Sequence, residues 1–262
     1  MTTRRKRWPI GVALLCVLAL AAAAAVFLLF RQHKEETATV EIQEGWRAYQ
    51  VYAAVDQALD VREGTTRKAA ERAARKGTLR LPPEAKDNPE GYLAAGTYNL
   101  KDRTPTTLLA AMVRTYEKRL ARDGVDDYAT LTTASIVQAE ADNPRDMGKV
   151  ARVIANRRAQ GMPLQMDSTI NYALKRSTLD TTAEDTRLDS PYNTYRYKGL
   201  PPTPINTPGL HARRATAKPP QGDWLYFVTV APGDTRFTAD YEQHKKWVEE
   251  FNENQRQQRS QN

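Results

Sequence analysis

The chain has 262 residues, 40% of them hydrophobic, and is therefore long enough for one or two domains with a sizeable core. Its formal net charge is +8, but setting aside the basic run at residues 4–7 leaves 35 basic residues against 31 acidic ones, or +4, which does not favour nucleic acid as a partner. Cys16 is the only cysteine and lies in an apolar N-terminal run, which excludes an intrachain disulfide and leaves the rest of the chain without a thiolate for metal binding or catalysis.

Residues 8–30 form an uncharged run that is long enough to cross a bilayer as a helix. We predict a transmembrane helix here, with a basic cytoplasmic flank at residues 1–7 and a short stalk at residues 31–37. The alternative is a signal peptide cleaved at the alanines 21–25. A signal peptide has an apolar core of only about 7–15 residues, whereas this run continues to Phe30. The basic flank places the N-terminus in the cytoplasm and the rest of the chain outside the cell membrane.

Residues 38–100 are predicted to form a small α/β module. The segment ATVEI alternates like a strand and precedes a Glu-Gly turn. Helical spacing follows in WRAYQVYAAVDQALD and in a basic, alanine-rich stretch around residues 65–76. A Pro-Pro pair and the polar DNPEG segment then mark a loop.

Residues 101–252 are predicted to form a mainly helical domain with a short β-hairpin, so that the chain as a whole is α+β. Thr104 can cap the first helix of this domain, and Pro105 suits its first position because a missing N–H costs nothing there. Gly124 is a suitable stop for the same helix. The polar tail at residues 253–262 is predicted to be frayed.

Three further helices are predicted over residues 126–142, 145–160 and 167–175, the last with Asp167 as its N-cap. Residues 177–208 are irregular and rich in Pro and Tyr, and loops of this length in compact domains are more often functional or disordered than ordinary. The aromatic residues argue against disorder. The segments WLYFVTV and TRFT then read as two strands joined by the turn APGD. The segment ADYEQHKKWVEEF reads as a closing helix.

The motifs of several common enzyme classes are missing from the sequence. The three histidines, His33, His211 and His244, are far apart and form no HExxH pair. There is no Gly-rich phosphate loop and no G-x-S-x-G elbow. We therefore expect no metal, no nucleotide and no other cofactor.

Glu140, in the segment ASIVQAEAD, is the strongest candidate for chemistry. At about 100° per residue it shares a helix face with the apolar pair Ile136 and Val137, whereas Gln138 and Asp142 point away. Burial in apolar surroundings disfavours the charged form of a carboxyl group and raises its pKa, which keeps a glutamate available as a proton donor. The alternative is a solvated glutamate at the end of a helix, and the spacing alone leaves both open.

Four stretches carry a resemblance to a known family: ASIVQAEA, VARVIANRRAQGMPLQMDSTINYAL, SPYNTYRYKGLPPTPI and WLYFVTVAPGDTRFT. In order and spacing they resemble the YceG-like endolytic murein transglycosylases. The resemblance runs over residues 127–250, with a weaker echo in EGYLAAGTY at residues 90–98. The resemblance suggests that the module at residues 38–100 is LysM-like and binds the cell wall. The alternative is that this module is a plain spacer.

The sequence departs from the family at three positions. Gln138 stands where the family commonly has a second acid, and residues two apart do not share a helix face, so Glu140 remains the candidate acid. Ser168 replaces a usual proline and Thr203 a usual glycine. These two replacements affect the expected loop geometry and fine substrate specificity more than the reaction class.

The resemblance implies a lyase, namely a membrane-anchored lytic transglycosylase that cleaves nascent peptidoglycan strands internally. Glu140 would protonate the oxygen between N-acetylmuramic acid and N-acetylglucosamine and then accept the proton of the muramyl C6 hydroxyl. That hydroxyl closes on C1 and leaves a 1,6-anhydro end, so one acid suffices and no metal or nucleotide is required. The resemblance also suggests cooperation with peptidoglycan synthases of the elongation machinery.

Eight residues in matching positions are candidates for substrate binding: Asn156, Gln165, Asp167, Thr169, Tyr192, Asn193, Thr194 and Tyr195. The tyrosines could present apolar ring faces to sugars, with Asn193 and Thr194 offering hydrogen bonds. The alternatives are that the tyrosines pack the loop onto the helices, that Asp167 only caps its helix, and that Asn156 holds a loop.

Two other functions remain open at this stage. A hydrolase acting on the same substrate would need a second carboxylate, such as Asp167 or Asp189, beside Glu140. A non-catalytic wall-binding or scaffolding protein would use Glu140 for no chemistry at all.

Overall fold

A computed structural model of the chain describes residues 22–24, 26, 38–101, 103–125, 127–176 and 181–261. The predicted cytoplasmic flank and stalk lie outside these residues, as does nearly all of the predicted transmembrane helix over residues 8–30. Within the described ranges, no helix is both long and apolar enough to span a bilayer. The anchor therefore stays a prediction.

The first part of the described chain has the order strand, helix, helix, strand. These elements are β1 (Thr39–Ile42), α1 (Ala48–Ala58), α2 (Thr65–Arg75) and β2 (Gly96–Asn99). The strand and both helices predicted here are confirmed, but β2 was not predicted, because four residues with the pattern GTYN are too few to show alternation. The two strands pair in antiparallel fashion, with Thr39 opposite Asn99 and Ile42 opposite Gly96.

The next helix, α3 (Pro105–Asp123), begins and ends as predicted. The Thr104 side chain accepts a hydrogen bond from the Thr107 N–H at 3.3 Å, and Gly124 ends the helix in the left-handed conformation with φ 73°. Helix α3 packs into the same apolar core as the first four elements, a cluster that extends from Val40 to Leu131. The buried core therefore does not divide at residue 100.

The second apolar core is built mainly from α4 (Tyr128–Glu140), α5 (Pro144–Ala159) and the segment leading into α6 (Asp167–Ala173). All three helices were predicted, with ends that differ by one or two residues. The eight-residue α7 (Leu210–Ala217) was not predicted. It is fixed by Arg213, whose guanidinium makes a buried ion pair of 2.7 Å with Asp123 at the end of α3, a long-range contact that no local pattern reveals.

The described part of the long loop, residues 181–209, is irregular apart from a 3-10 turn at Asp185–Arg187, as predicted. It leads through α7 to a hairpin of β3 (Tyr226–Ala231) and β4 (Asp234–Thr238), and then to α8 (Tyr241–Gln261). The two strands and the closing helix are confirmed, and so is the mixed α+β class.

The prediction of a frayed tail at residues 253–262 is wrong, because α8 continues to Gln261. The tail contains no Gly or Pro, and its Glu, Gln and Arg residues favour helix. The Asn254 side chain also donates a hydrogen bond of 3.2 Å to the carbonyl of Val230, which ties this part of the helix to β3.

The turn after β1 is joined to the segment before α7. The Gly45 N–H donates to the Thr207 carbonyl at 2.8 Å, and the Thr207 N–H donates to the Trp46 carbonyl at 3.0 Å. The Glu44 carboxylate accepts from the Leu210 N–H at 3.1 Å, where α7 begins. These bonds connect the first part of the chain directly to the part that carries Glu140.

Candidate active site

Helix α4 brings Glu140 to its position. Asp127 caps the helix by accepting a 2.7 Å hydrogen bond from the Thr130 N–H, and the helix ends at Glu140 because Ala141 is extended. Ile136 and Val137 are each 0% exposed, and Glu140, one turn further on, is partly buried. The predicted alignment of Glu140 with this apolar pair is therefore confirmed.

The Glu140 carboxylate is held by Ser168, in the first turn of α6. Its Oε1 atom accepts hydrogen bonds from the Ser168 hydroxyl at 2.6 Å and from the Ser168 N–H at 3.2 Å. Burial raises the pKa of Glu140 and outweighs the Ser168 bonds, which lower it, while the nearby charge of Asp167 raises it further. A raised pKa keeps this carboxyl protonated to higher pH than an ordinary glutamate, which is the property required of a general acid.

Asp167 and Tyr195 form a second pair beside Glu140. The Tyr195 hydroxyl donates a hydrogen bond to Asp167 Oδ1. Burial raises the pKa of Tyr195, helped by that bond and by the charges of Asp167 and Glu140. The prediction that Asp167 caps α6 is wrong by one position: Met166 is the N-cap residue and makes no side-chain cap. The Asp167 carboxylate instead accepts the hydrogen bond from Tyr195.

Three of the predicted substrate-binding residues are buried, namely Asn193, Thr194 and Thr169. Thr194 Oγ1 accepts from the Met166 N–H at 3.0 Å and shares a 2.9 Å hydrogen bond with Thr169 Oγ1. Asn193 is 0% exposed and donates to the Leu188 carbonyl at 2.7 Å. Thr194 and Thr169 hold the irregular segment after residue 181 against α6, and the contact of all three residues with substrate stays a prediction.

Gln165 and Asn156 anchor other segments. The backbone of Gln165 is in the left-handed region, with φ 55°, and the side-chain Oε1 accepts a 2.9 Å hydrogen bond from the Arg157 guanidinium. Asn156 donates to the Trp224 carbonyl at 2.9 Å, and Arg157 donates to the Leu225 carbonyl at 2.6 Å. For Asn156 the structure thus shows the loop-holding contact that was the alternative to substrate binding.

Tyr192 packs within the fold. Its ring lies 4.9 Å from that of Tyr172, and its hydroxyl shares a 2.9 Å hydrogen bond with Thr203. It is partly buried against the second core, in keeping with the packing alternative. Tyr195, through Asp167, is therefore the predicted tyrosine that the structure links to Glu140.

Glu90, in the EGYL segment, was missed as a candidate. It is 5% exposed, and its two oxygens accept hydrogen bonds from the Ala48 N–H at 2.9 Å and the Tyr172 hydroxyl at 3.2 Å. Burial raises the pKa of Glu90 to about 7, against the lowering effect of these bonds and of Arg47. The glutamate in the weak echo of the family motif was the available signal.

The other polar residues singled out by the sequence lie apart from this arrangement. Asp189 is exposed and accepts a 2.6 Å hydrogen bond from the Tyr197 hydroxyl. Gln138 accepts from the Gly209 N–H at 2.8 Å, so its side chain serves the junction with α7 and does not bond to Glu140. Of the two carboxylates considered as partners for Glu140, only Asp167 acts on its pKa.

Comparison with known proteins assigns the chain to a family, because the model of the YceG-like family matches residues 19–250. The chain belongs to the YceG-like family. The match includes Glu140 and all eight candidate substrate-binding residues. The predicted resemblance is therefore confirmed.

Characterised YceG-like relatives include the endolytic murein transglycosylase of Bacillus subtilis, which is 34% identical over 171 residues, covering 62% of this chain and 48% of the relative. The protein of the same description from Streptococcus pneumoniae is 31% identical over 244 residues, covering 81% of this chain and 44% of the relative. The chain thus spans less than half the length of these relatives. A crystal structure of a YceG-like protein from Listeria monocytogenes superposes with a TM-score of 0.71 at 28% identity, covering 80% of this chain and 75% of that one.

Proposed function

We propose that this protein is a peptidoglycan lytic transglycosylase with Glu140 as its single general acid and base. The observation that carries the proposal is a partly buried glutamate of raised pKa, fixed through one oxygen by Ser168, in a chain of the YceG-like family. The relatives named endolytic murein transglycosylases support the same reaction. The word endolytic in that description supports cleavage within glycan strands, and the choice of nascent strands rests on the resemblance alone.

The reaction needs one proton carrier. Protonated Glu140 gives its proton to the oxygen between N-acetylmuramic acid and N-acetylglucosamine, and the bond from this oxygen to the muramyl C1 breaks. The muramyl C6 hydroxyl bonds to C1, and its proton passes to the Glu140 carboxylate. The products are a 1,6-anhydro end and a free hydroxyl on N-acetylglucosamine, and Glu140 is again protonated for the next turnover. An internal hydroxyl held close to C1 replaces an activated water.

The contacts of the candidate residues divide them into two roles. Tyr195 and Asp167, next to Ser168, are the candidates for contact with a sugar near the cleaved bond. Asn193, Thr194 and Thr169 instead position the loop that carries Tyr195, since their polar atoms bond within the protein. Asn156 and Gln165 position the hairpin and α5 in the same way.

A peptidoglycan hydrolase is the second candidate function. The observation that favours it is Asp167, a second carboxylate close enough to Glu140 to affect its pKa. In a hydrolase Asp167 would activate water or attack C1. Its hydrogen bond from Tyr195 is the argument for a structural or sugar-binding role.

Product analysis and substitution of Glu140 together test the proposal. The full chain in detergent, incubated with uncrosslinked glycan strands, should produce 1,6-anhydro ends detectable by mass spectrometry. Glu140→Gln should abolish these products and spare binding to sedimented peptidoglycan. Glu249→Gln, on the exposed side of α8, is the matched control and should cleave like the wild type. Undiminished cleavage by Glu140→Gln would refute the assignment, and binding without cleavage by the wild type would favour a scaffolding protein.

We further propose that residues 8–30 anchor the chain in the cell membrane, with residues 1–7 in the cytoplasm and the catalytic part outside. The support is the length of the apolar run and its basic flank. Removal of residues 1–30 should release the protein from sedimented membranes, and protease added outside intact spheroplasts should digest the part of the full-length protein that follows residue 30. Wall binding by residues 38–100 and cooperation with peptidoglycan synthases stay proposals that rest on the resemblance.

A further inference from the structure

The two oxygens of the Glu140 carboxyl group have different surroundings. Oε1 accepts both donors of Ser168, the hydroxyl at 2.6 Å and the main-chain N–H at 3.2 Å. Among the described residues no hydrogen-bond donor contacts Oε2. The side chain as a whole is partly buried, and Oε2 is the oxygen that the protein leaves without a donor. Ser168 lies 28 residues from Glu140 in the chain, and the fold alone brings the two together.

We propose that Ser168 is a positioning residue that keeps the transferable proton on Oε2 of Glu140 and turns that oxygen toward the glycosidic bond. This inference rests on the proposed function. Oε1 already accepts two hydrogen bonds, from the Ser168 N–H and hydroxyl, so a proton on this oxygen would displace one of them, whereas no donor of the described residues occupies Oε2. The proton of the neutral acid therefore resides on Oε2.

The same two bonds favour the reaction in both directions of proton transfer. When Oε2 gives up its proton, the charge spreads over both oxygens, and the bonds from Ser168 become charge-assisted and stronger. They thus stabilise the ionised glutamate that forms when the glycosidic bond breaks. When the C6 hydroxyl returns a proton, Oε1 is still occupied by the N–H, and the proton again goes to Oε2.

The serine at position 168 is particular to this chain, and the proposed reaction does not itself require a serine there. In the resemblance to the YceG-like family, Ser168 replaces a usual proline, and proline supplies neither donor. The other titratable groups that face Glu140 are Asp167, whose charge opposes ionisation, and Tyr195, which is bonded to Asp167. Substitution of Ser168 leaves both of these groups in place.

The test is a comparison of pH–rate profiles for variants of the full chain in detergent. Ser168→Ala removes the hydroxyl, and Ser168→Pro removes both donors at a first-turn position that accepts proline. Ser168→Thr retains both donors. Thr216→Ala is the matched control, because it removes a hydroxyl that bonds only to the Ala212 carbonyl of α7. Thermal unfolding of each variant confirms that it is folded.

The expected change is in the alkaline limb of kcat/KM, where Glu140 loses its proton in the free enzyme. Ser168→Ala should move this limb upward by about one pH unit and lower kcat by about 10-fold, because one hydrogen bond to the charged form is lost. Ser168→Pro should move it further in the same direction. Ser168→Thr and Thr216→Ala should keep the wild-type limb.

Profiles for Ser168→Ala and Ser168→Pro that superpose on the wild type, or that fall in height without moving along the pH axis, would overturn the role of Ser168. If the alkaline limb stays at the wild-type pH in every folded variant, the role of Ser168 is overturned and the proposed function remains intact. Failure of the proposed function has a different signature, because the wild type itself would then yield no anhydro ends.

Discussion

Two glutamates of this protein have raised pKa values, and their surroundings differ in one respect. Both oxygens of Glu90 accept hydrogen bonds, from Ala48 and from Tyr172. Glu140 has both of its bonds on Oε1, from Ser168, and Oε2 has none from the described residues. Burial is the main cause of the shift in each case.

The comparison shows that a raised pKa alone does not identify a catalytic acid. A carboxyl whose oxygens are both occupied by the protein joins elements of the fold, as Glu90 joins α1 to α6. A carboxyl fixed through one oxygen retains the other for a substrate. On this criterion Glu140 is the acid of the proposed reaction and Glu90 is a structural group.

The largest expected effect comes from replacing the two glutamates in parallel. Glu140→Gln should lower kcat by about 10²–10⁴-fold, the range that general acid–base groups contribute. Glu90→Gln should change activity little, because Gln retains an acceptor for the Ala48 N–H. The measurement is the rate of anhydro-end formation at one pH. A greater loss in Glu90→Gln than in Glu140→Gln would reverse the assignment.

The pH dependence of stability should depend on Glu90. Its folded-state pKa of about 7 lies above the ordinary glutamate value of 4.5, so between these pH values the folded state holds a proton that the unfolded state has released. The free energy of unfolding should therefore be greatest below the lower value and fall as pH rises to about 7, by up to roughly 3 kcal/mol. Glu90→Gln should flatten this slope.

Urea unfolding followed by circular dichroism at a series of pH values measures the slope in the wild type and in Glu90→Gln. Because Glu140 also has a raised pKa, Glu140→Gln serves as the comparison and should remove a separate part of the slope. An identical slope in the wild type and Glu90→Gln would show that Glu90 is ionised in the folded protein at these pH values.

A smaller effect is expected from the hydroxyl of Tyr195. Tyr195→Phe leaves the ring and removes the donor to Asp167, and it should lower kcat/KM by about 10-fold, the size of one hydrogen bond to a charged group. Tyr197→Phe is the matched control, since its hydroxyl bonds to the exposed Asp189. Equal activities of the two variants would mean that the Tyr195–Asp167 bond does not organise the site.

The smallest effect is expected from Asp189→Asn. Asp189 is exposed and acts on no described group near Glu140, so the variant should cleave glycan at the wild-type rate. A loss comparable to that of Glu140→Gln would make Asp189 a second catalytic carboxylate and would favour the hydrolase. The initial rate on uncrosslinked glycan strands distinguishes the two outcomes.

The parts of the fold with strong local signals were predictable. Helix α3 has a capping threonine, a proline at its first position and a terminal glycine, and it begins and ends where these predict. Strand β2 and helix α7 were missed because they are short and depend on distant partners: pairing with β1 in one case and the buried Arg213–Asp123 pair in the other. The polar sequence of the tail predicts fraying, although its lack of Gly and Pro and its Glu, Gln and Arg residues favour the continuation of α8.

The candidate site was predictable to a similar degree. Helical spacing placed Glu140 on the face of Ile136 and Val137, because that relation lies within one helix. Its bond to Ser168 joins residues 28 positions apart, and no periodicity encodes such a contact. For the same reason the sequence could not distinguish an asparagine or threonine that contacts sugar from one that is buried, as Asn193 and Thr194 are.

The central claim is that Glu140 acts alone and that an internal hydroxyl replaces water. Digestion of uncrosslinked glycan strands by the full chain in oxygen-18 water tests this claim most directly. We predict that mass spectrometry will find 1,6-anhydro ends without the heavy isotope, and that Glu140→Gln will form none. New reducing ends that carry oxygen-18 would contradict the account and establish hydrolysis.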